Sequence, residues 1–444
     1  MNLEKFKWGG MSLNEKVSRI KKYKCSNDKF SCGVQRLNKD WLFDMLKESI
    51  KEYIINKAKL KDFQKNPFFY LYDFGDINYK LNLLNSYATD NISIYYAMKA
   101  NSNLEVLSYI GKHPKIKGVE IASVGELEKA LGLFEPSQII YTGPAKRPYE
   151  LEASLKNRIR FLSAESLTEV YRINDLAAKQ NIEKQDILIR INPNFEIKNS
   201  LKKMGGISSK MGIDEDKIKE ALEEIVKLNN INVIGFHVFA ASGILKYKDL
   251  LEYVDYVFGL ITKIESTFKQ KFSIIDFGGG LGVDYSGGSK MFDVKNFFND
   301  LNSLVSEYKF ESKELVLELG RFIVAESGYY VSQIVDIKES KGKKHILVSG
   351  GTNHIRLIKK HPIYIIPMSD AKIYSGQPSV KNEFVEIEGP LCFGEDKIDD
   401  DVYIEEANIG DLVVVSHVGA YGYSVASLEF LVHPKPIEYI LNEV

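Results

Sequence analysis

Ser-Ile-Tyr-Tyr-Ala-Met-Lys-Ala-Asn, residues 93–101, is a short apolar, β-rich run that closes on a lysine. A segment of helical period follows over 104–112, its apolar residues recurring at three- and four-residue steps. The same pair, a strand-like run and then an amphipathic stretch, repeats along the chain. Further runs lie at 118–123, 139–143, 159–164, 186–193, 233–240, 273–280 and 315–321. Amphipathic stretches at 126–133, 167–179, 216–228, 250–268 and 294–308 lie between them. Eight such runs separated by helices predict an α/β fold, a closed parallel (β/α)8 barrel of the TIM type. An open doubly wound sheet is the competing arrangement, and counting strands does not exclude it.

Outward from this region the texture changes. After Arg321, runs at 329–338, 345–348, 384–388 and 411–416 read as strands with little helix between them, the mark of an all-β unit. Before Asn66 a helix is expected over 39–60, and residues 1–38 are polar and basic with no assignable chemistry. The expected division is therefore an N-terminal extension and helix (1–66), a barrel (67–321) and a C-terminal β-domain (322–444). A chain of 444 residues is long enough for both domains. With 59 basic and 60 acidic residues, the charge balance gives no reason to expect nucleic acid or an anionic membrane as partner. Cys25, Cys32 and Cys392 are too few and too scattered for a disulfide framework. Residues 1–24 have no apolar core of signal-peptide length and no run approaches a membrane span, so a cytoplasmic location is expected.

In a barrel the ends of the strands converge on one mouth, and the reactive residues collect there. Lys99 closes the first run, Glu120 lies in the second and Arg190 in the fifth. The sixth ends in His237 to Ser242, the seventh in Gly278, Gly279 and Gly280, and the eighth carries Glu318 and Arg321. A lysine amine can form a Schiff base with an aldehyde cofactor, and an enclosed mouth favours the neutral amine that must attack. Taken alone, a lysine at a strand end is usually only a solvated one; the apolar run 94–98 is what draws Lys99 into an enclosed mouth. Three glycines let backbone N–H groups approach a phosphate, although such a triplet is more often only a turn. The Arg321 guanidinium could pair with the same phosphate, with Ser242 and Tyr421 as hydroxyl donors. A carboxylate at Glu318 could hold a pyridine nitrogen protonated; its plain alternative is an ion pair with Arg321 or Arg190. Cys392 defaults to a small buried hydrophobe and His237 to a satisfied core histidine, and no metal-ligand cluster stands out.

As an ordered set the motifs resemble the fold-type III pyridoxal-phosphate (PLP) decarboxylases, the family of ornithine, diaminopimelate and carboxynorspermidine decarboxylases. They are Tyr-Ala-Met-Lys-Ala-Asn (96–101), Val-Glu-Ile-Ala-Ser (119–123), Gly-Gly-Gly-Leu-Gly (278–282), Glu-Leu-Gly-Arg (318–321), Gly-Pro-Leu-Cys (389–392) and Gly-Ala-Tyr-Gly (419–422). The resemblance implies an alanine racemase-like barrel with pyridoxal 5'-phosphate bound to Lys99 and Glu318 beside its ring nitrogen. It gives Gly278, Gly279, Gly280, Arg321, Ser242 and Tyr421 to the phosphate cradle. Glu120, Arg190, His237 and Gly320 are further candidates for contacts with the cofactor. It makes Cys392 the cysteine that a second subunit inserts into the site to return a proton after CO2 leaves, which implies a homodimer with shared active sites. Met-Gly-Gly (204–206), Gly-Arg-Phe-Ile-Val-Ala (320–325), Gly-Tyr-Tyr-Val (328–331), Gly-Gly-Thr (350–352) and the ending Phe430-Leu431-Val432-His433-Pro434 resemble a narrower branch. That branch comprises decarboxylases of carboxylate-siderophore pathways (staphyloferrin B, rhizoferrin) and an acyl-carrier-linked glutamyl decarboxylase.

Two departures from the ornithine and diaminopimelate enzymes bear on the substrate. In those enzymes the cysteine is followed by an acidic residue that reads the distal ammonium, whereas Phe393 follows Cys392 here. A free ammonium would lose its partner in an enclosed site, so an acylated distal amine is expected, unless Glu395 or Asp396 substitutes. Phe239 stands where the family has a histidine stacked on the cofactor ring, and an aromatic face can still stack there. The expectation is α-decarboxylation of a citrylated diamino acid such as N-citryl-ornithine or citryl-diaminopropionate, with Arg356, Lys359 and Lys360 as candidate cations for the citryl carboxylates. The alternatives are a diaminopimelate, ornithine or carrier-linked glutamyl decarboxylase, a racemase, and a non-catalytic regulatory homologue.

Overall fold

A computed structural model describes residues 7–8, 11–12, 46–197, 201–203, 205–286, 291–358, 360–368 and 377–442. Cys25, Cys32, Met204, Lys359 and nearly all of residues 1–38 lie outside the described residues. The chain divides into two units, one of Asp76–Val283 with Lys290–Ala325, the other of residues up to Gly75 with Asp284–Ser289 and Glu326–Val444.

The second of these includes the helix Glu48–Ala58, described within the stretch expected at 39–60, followed by β1 (Phe68–Asp73). The barrel unit follows with β2 (Ile92–Ala97), β3 (Ile116–Ile121), β4 (Ile139–Tyr141), β5 (Phe161–Ala164), β6 (Gln185–Asn192), β7 (Ile231–Val238), β8 (Ile274–Asp276) and β9 (Glu314–Leu319). Each pairs in parallel with the next, and β9 pairs back onto β2 through Glu318 and Tyr95. The sheet is thus closed, and the doubly wound alternative is excluded. The interior is filled, not hollow: Tyr95, Ile140, Phe161, Leu188, Ile274 and Val316 form one buried cluster. Helices start where a short polar side chain accepts the free N–H groups of the first turn, at Asn103, Ser123, Ser166 and Asp293. Gly235 sits at a register shift in β7, where a Cβ would lie 1.9 Å from the Ile274 carbonyl oxygen of β8. Only glycine allows that approach. Among the described residues no helix is long and apolar enough to cross a membrane.

The other unit is built on β10 (Gly328–Ser340), thirteen residues long, with β11 (Lys343–Val348), β12 (Ile363–Ile366), β13 (Val380–Glu388), β14 (Lys397–Ala407), β15 (Leu412–Ser416) and β16 (Ile437–Leu441). The first half of β10 lies between β1 and β15, and its second half pairs with β11. β1 therefore belongs to this sheet, antiparallel to β10 and parallel to β16, although 67–73 was expected to open the barrel domain. The physical reason is its double-sided burial. Ile50 and Ile54 of the helix cover Phe69 and Leu71, which join Tyr329, Val331, Tyr364 and Val414 in a second core.

Candidate active site

Residues just past each barrel strand meet at one mouth. The turn Met98–Ala100 after β2 carries Lys99, whose Nζ lies 2.8 and 2.6 Å from the two carboxylate oxygens of Glu120 on β3. Glu120 is fully buried and also accepts a hydrogen bond from Thr142 Oγ1, just past β4. Glu165, past β5, takes the Arg190 guanidinium of β6 at 2.7 Å. Its oxygens also accept from Gly143 N at 3.1 Å and Gly212 N at 2.8 Å, fixing two loops over the mouth. The ion pair weighed for Arg190 with Glu318 is therefore made with Glu165 instead.

His237 on β7 has Nδ1 2.9 Å from Ser163 Oγ and Nε2 3.9 Å from Glu318 Oε1. Burial, reinforced by the charges of Arg190, Lys99 and Lys146, holds its pKa well below the usual histidine range, so the ring is neutral. Its Nε2 has no hydrogen-bond partner among the described residues, so it is only half satisfied. Glu318 on β9 is buried, and burial with the neighbouring charges of Asp276 and Glu120 pushes its carboxyl well above the ordinary range. Its Oε1 is likewise unpartnered among the described residues.

The turn after β8 lies alongside. Gly278 has φ +67° and Gly280 φ +113°, both in the region that favours glycine. A Cβ on Gly278 would fall 2.4 Å from the half-buried Phe239 ring, and one on Gly279 would fall 2.3 Å from the Glu318 carbonyl. Gly280 O accepts from Ile244 N at 2.8 Å, which ties this turn to the Ala241–Ser242 strand carrying the half-buried Ser242. Gly320 passes Ala97 and Ala100 so closely that a Cβ would meet both, which sets β9 beside the Lys99 turn. Arg321 opens the helix Arg321–Val324 and is buried.

Cys392, Phe393, Arg356 and Tyr421 lie in the other unit, where three loops are tied together. Asp396, buried, accepts from Thr352 N at 2.6 Å, Thr352 Oγ1 at 2.7 Å and Leu391 N at 2.8 Å. Gly351 and Gly389 cross so closely that a Cβ on either would lie within 2.5 Å of the other's Cα. Arg356 N donates to Gly422 O at 2.9 Å, which adds the turn of Tyr421 (φ +65°). Cys392 is a free, exposed thiol, contrary to its default reading as a buried hydrophobe. Phe393 packs edge-on against Phe430 with centroids 5.8 Å apart, both rings substantially exposed. Lys360 is engaged by Asp399 at 3.1 Å and Asp400 at 3.5 Å, whereas Arg356 is exposed and makes no ion pair among the described residues. A cluster of His345, Glu386 and Glu388 in this unit has Lys343 and Lys397 already on the Glu386 carboxylate.

Thr142, Ser163, Glu165 and Asp276 were not singled out from the sequence. Thr142, Ser163 and Glu165 stand at or close to the end of a barrel run, where the strand-end rule that found Lys99 also points; Asp276 lies inside the run at 273–280, and only the fold, which ends β8 there, puts it at the mouth.

The chain matches the model of the pyridoxal-dependent decarboxylase family, pyridoxal binding domain, over residues 74–325. It is 32% identical over 374 residues to 2-[(L-alanin-3-ylcarbamoyl)methyl]-2-hydroxybutanedioate decarboxylase of Staphylococcus aureus, covering 83% of this chain and 92% of that one. It is also 32% identical to L-glutamyl-[BtrI acyl-carrier protein] decarboxylase of Niallia circulans, over 84% of this chain and 88% of that one. The crystal structure of diaminopimelate decarboxylase from Helicobacter pylori complexed with L-lysine superposes with a TM-score of 0.76 at 28% identity, covering 88% of this chain and 94% of that one. The mouth fits a pyridoxal cofactor on its own geometry. It offers a lysine amine, a glycine turn with no room for side chains, and a buried carboxyl with an unpartnered oxygen. The chain therefore belongs to the pyridoxal-dependent decarboxylases and is a PLP-dependent enzyme that removes a carboxylate from an amino-acid-derived small molecule.

Proposed function

We propose that the substrate is a diamino acid whose distal amine is locked in an amide, with a citrate-type acyl group, and that the enzyme serves carboxylate-siderophore synthesis. The observation that carries this is the Cys392 loop. Phe393 follows the cysteine, and Asp396, the nearest buried acid to stand in for the missing carboxylate, has both oxygens committed to Thr352 and Leu391. Glu395 is exposed, and a solvated carboxylate reads a charge weakly. An amide nitrogen needs no counter-charge. The name of the Staphylococcus aureus relative describes such a molecule, an alanine joined through an amide to a hydroxy-dicarboxylate. Arg356 is the cation we assign to the acyl carboxylates; Lys360 is spent on Asp399 and Asp400.

PLP, when bound, supplies an electron sink conjugated to Cα, which lets the carboxylate depart as CO2. Lys99 holds the cofactor through Nζ, and Glu120 keeps that amine in place between turnovers. Gly278 to Gly280, Ser242 and Arg321 would hold its phosphate, Phe239 would offer an aromatic face to its ring, and Glu318 would supply the carboxyl for its ring nitrogen. His237, neutral, adds a polar edge without adding charge. Cys392 of a second copy of the chain returns the proton to Cα.

The test is a kinetic panel of free and citrylated diamino acids with products identified by mass spectrometry. A buried, unpaired ammonium costs several kcal/mol, so kcat/KM should favour the acylated substrate by about a hundredfold or more. Arg356→Ala should erode that preference, and Phe393→Asp should move it towards the free amine. Equal turnover of free ornithine or diaminopimelate by the unaltered enzyme would sink the siderophore assignment and leave the decarboxylase intact.

A further inference from the structure

Behind Glu318 stands a second carboxyl that this scheme does not use. Asp276 ends β8 and is fully buried, in register with His237 of β7 on one side and Val316 of β9 on the other. Its Oδ1 accepts from Gly278 N at 2.9 Å, so it shapes the first turn of the glycine cradle. Its Oδ2 is buried, and as a carboxylate it has no partner among the described residues, which is also true of Glu318 Oε1. A carboxylate oxygen of each lies within 4.8 Å of the other and of a ring nitrogen of His237. Two carboxylates cannot bond, because neither can donate. One proton between them turns two orphaned acceptors into a donor and an acceptor.

We propose that Asp276 is a positioning residue for Glu318: the two buried carboxyls hold one proton, and Asp276 takes it whenever Glu318 must face the bound cofactor's ring nitrogen as a carboxylate. This rests on the assignment of Glu318 to that nitrogen. Among the described residues no cation is committed to the pair. The charged and titratable groups around it are Lys99 after β2, Glu120 on β3, Arg190 on β6 and His237 on β7, with the phenols of Tyr95 and Tyr253. Lys99 is held by Glu120 and Arg190 by Glu165, Glu120 repels the pair, and His237 is neutral. Burial lifts Asp276 to about 7 and Glu318 well above the carboxylate range, so at neutral pH the pair keeps a proton. A proton that moves within the pair lets Glu318 ionise without leaving two buried negative charges together.

The experiment compares Asp276→Asn, Asp276→Ala and Glu318→Gln. Asparagine keeps an oxygen for Gly278 N and supplies a permanent N–H donor where the proton would sit; alanine supplies neither. The first readout is the thermal stability of cofactor-free protein against pH. A folded pKa raised from 3.8 to about 7 means stability is full below about pH 4 and falls as pH rises to about 7. That fall should be present in the unaltered chain and clearly smaller in Asp276→Asn. The second readout is the absorbance of the bound cofactor. Asp276→Asn should keep the wild-type band, while Asp276→Ala and Glu318→Gln should both shift to that of an unprotonated ring and lose about tenfold or more in kcat. If Glu318→Gln shifts the band and Asp276→Ala does not, the role of Asp276 is overturned while that of Glu318 stands. If Glu318→Gln leaves the band unchanged, the assignment on which the proposal rests has failed. A flat stability profile in the unaltered cofactor-free chain, or a stoichiometric divalent metal retained at the pair, also overturns it.

Discussion

Lys99 and Asp396 show how one side chain can hold or lose the site. Lys99 Nζ rests on a fully buried carboxylate, 2.6 Å away, yet its own side chain is 40% exposed and contributes little core packing. Lys99→Ala should therefore fold, lose turnover, and lose the cofactor absorbance that borohydride would otherwise fix to the protein. Full activity in that variant would end the decarboxylase assignment for this lysine. Asp396→Ala is a different kind of loss. It strips the acceptor from Thr352 N, Thr352 Oγ1 and Leu391 N at once. Leaving such donors unpaired costs about 1–3 kcal/mol each where they are buried, so a drop of several kcal/mol in denaturant unfolding is expected. The Cys392 thiol should also react faster with a disulfide reagent, because its loop has lost its tie; an unchanged rate would show that the loop holds itself. Residues such as Lys99 and Glu318 were legible in the sequence because they break apolar runs at strand ends. Asp276 was not, since in the run 273–280 it reads as a polar residue inside a strand. Its meaning depends on Glu318, forty-two positions on in the chain and adjacent only through β8–β9 pairing.

Elements carry the geometry that those residues need. Register, not propensity, sets which side chains share the mouth: His237 aligns with Asp276, and Arg190 with His237. The shift between Val233 and Gly235 fixes that alignment, and Gly235 is what lets β7 and β8 touch there. Gly235→Ala would push a methyl group into the backbone of Ile274, two residues from Asp276. A cost of about 1–3 kcal/mol is expected, together with weaker cofactor binding in an absorbance titration. Unchanged affinity would mean that β8 can shift without disturbing the cradle. The eight barrel runs were readable because amphipathic stretches separate most of them; the helix Pro148–Lys156, between β4 and β5, was not read. β1 was not among the runs read; the boundary at 67 fell before it, and Phe-Phe-Tyr-Leu-Tyr-Asp is buried along its whole length, so only its partners β10 and β16 show that it belongs to the other sheet.

At the scale of the whole molecule, the question is what a second copy of the chain contributes. The β unit exposes Phe393, Phe430, Leu431 and Val432, the last at 87% exposure and held at φ +57°, an uncommon conformation for a β-branched residue. Apolar side chains so presented beside the Cys392 loop are what a protein–protein contact would cover. If Cys392 serves the partner's site, the catalytic lysine and cysteine of one working site come from different chains. Chains carrying Lys99→Ala and chains carrying Cys392→Ala are then each impaired alone. In an equimolar mixture allowed to exchange at random, half of the dimers are hybrids, and each hybrid has one site with both groups intact. Activity should recover to about a quarter of the unaltered enzyme and should rise with exchange time. If both groups instead came from the same chain, every site in the mixture would lack one of them, and no recovery would follow however complete the exchange. Mass spectrometry of the mixed dimers separates failed exchange from failed complementation. An enzyme fully active as a monomer at every concentration would exclude sharing of the cysteine altogether.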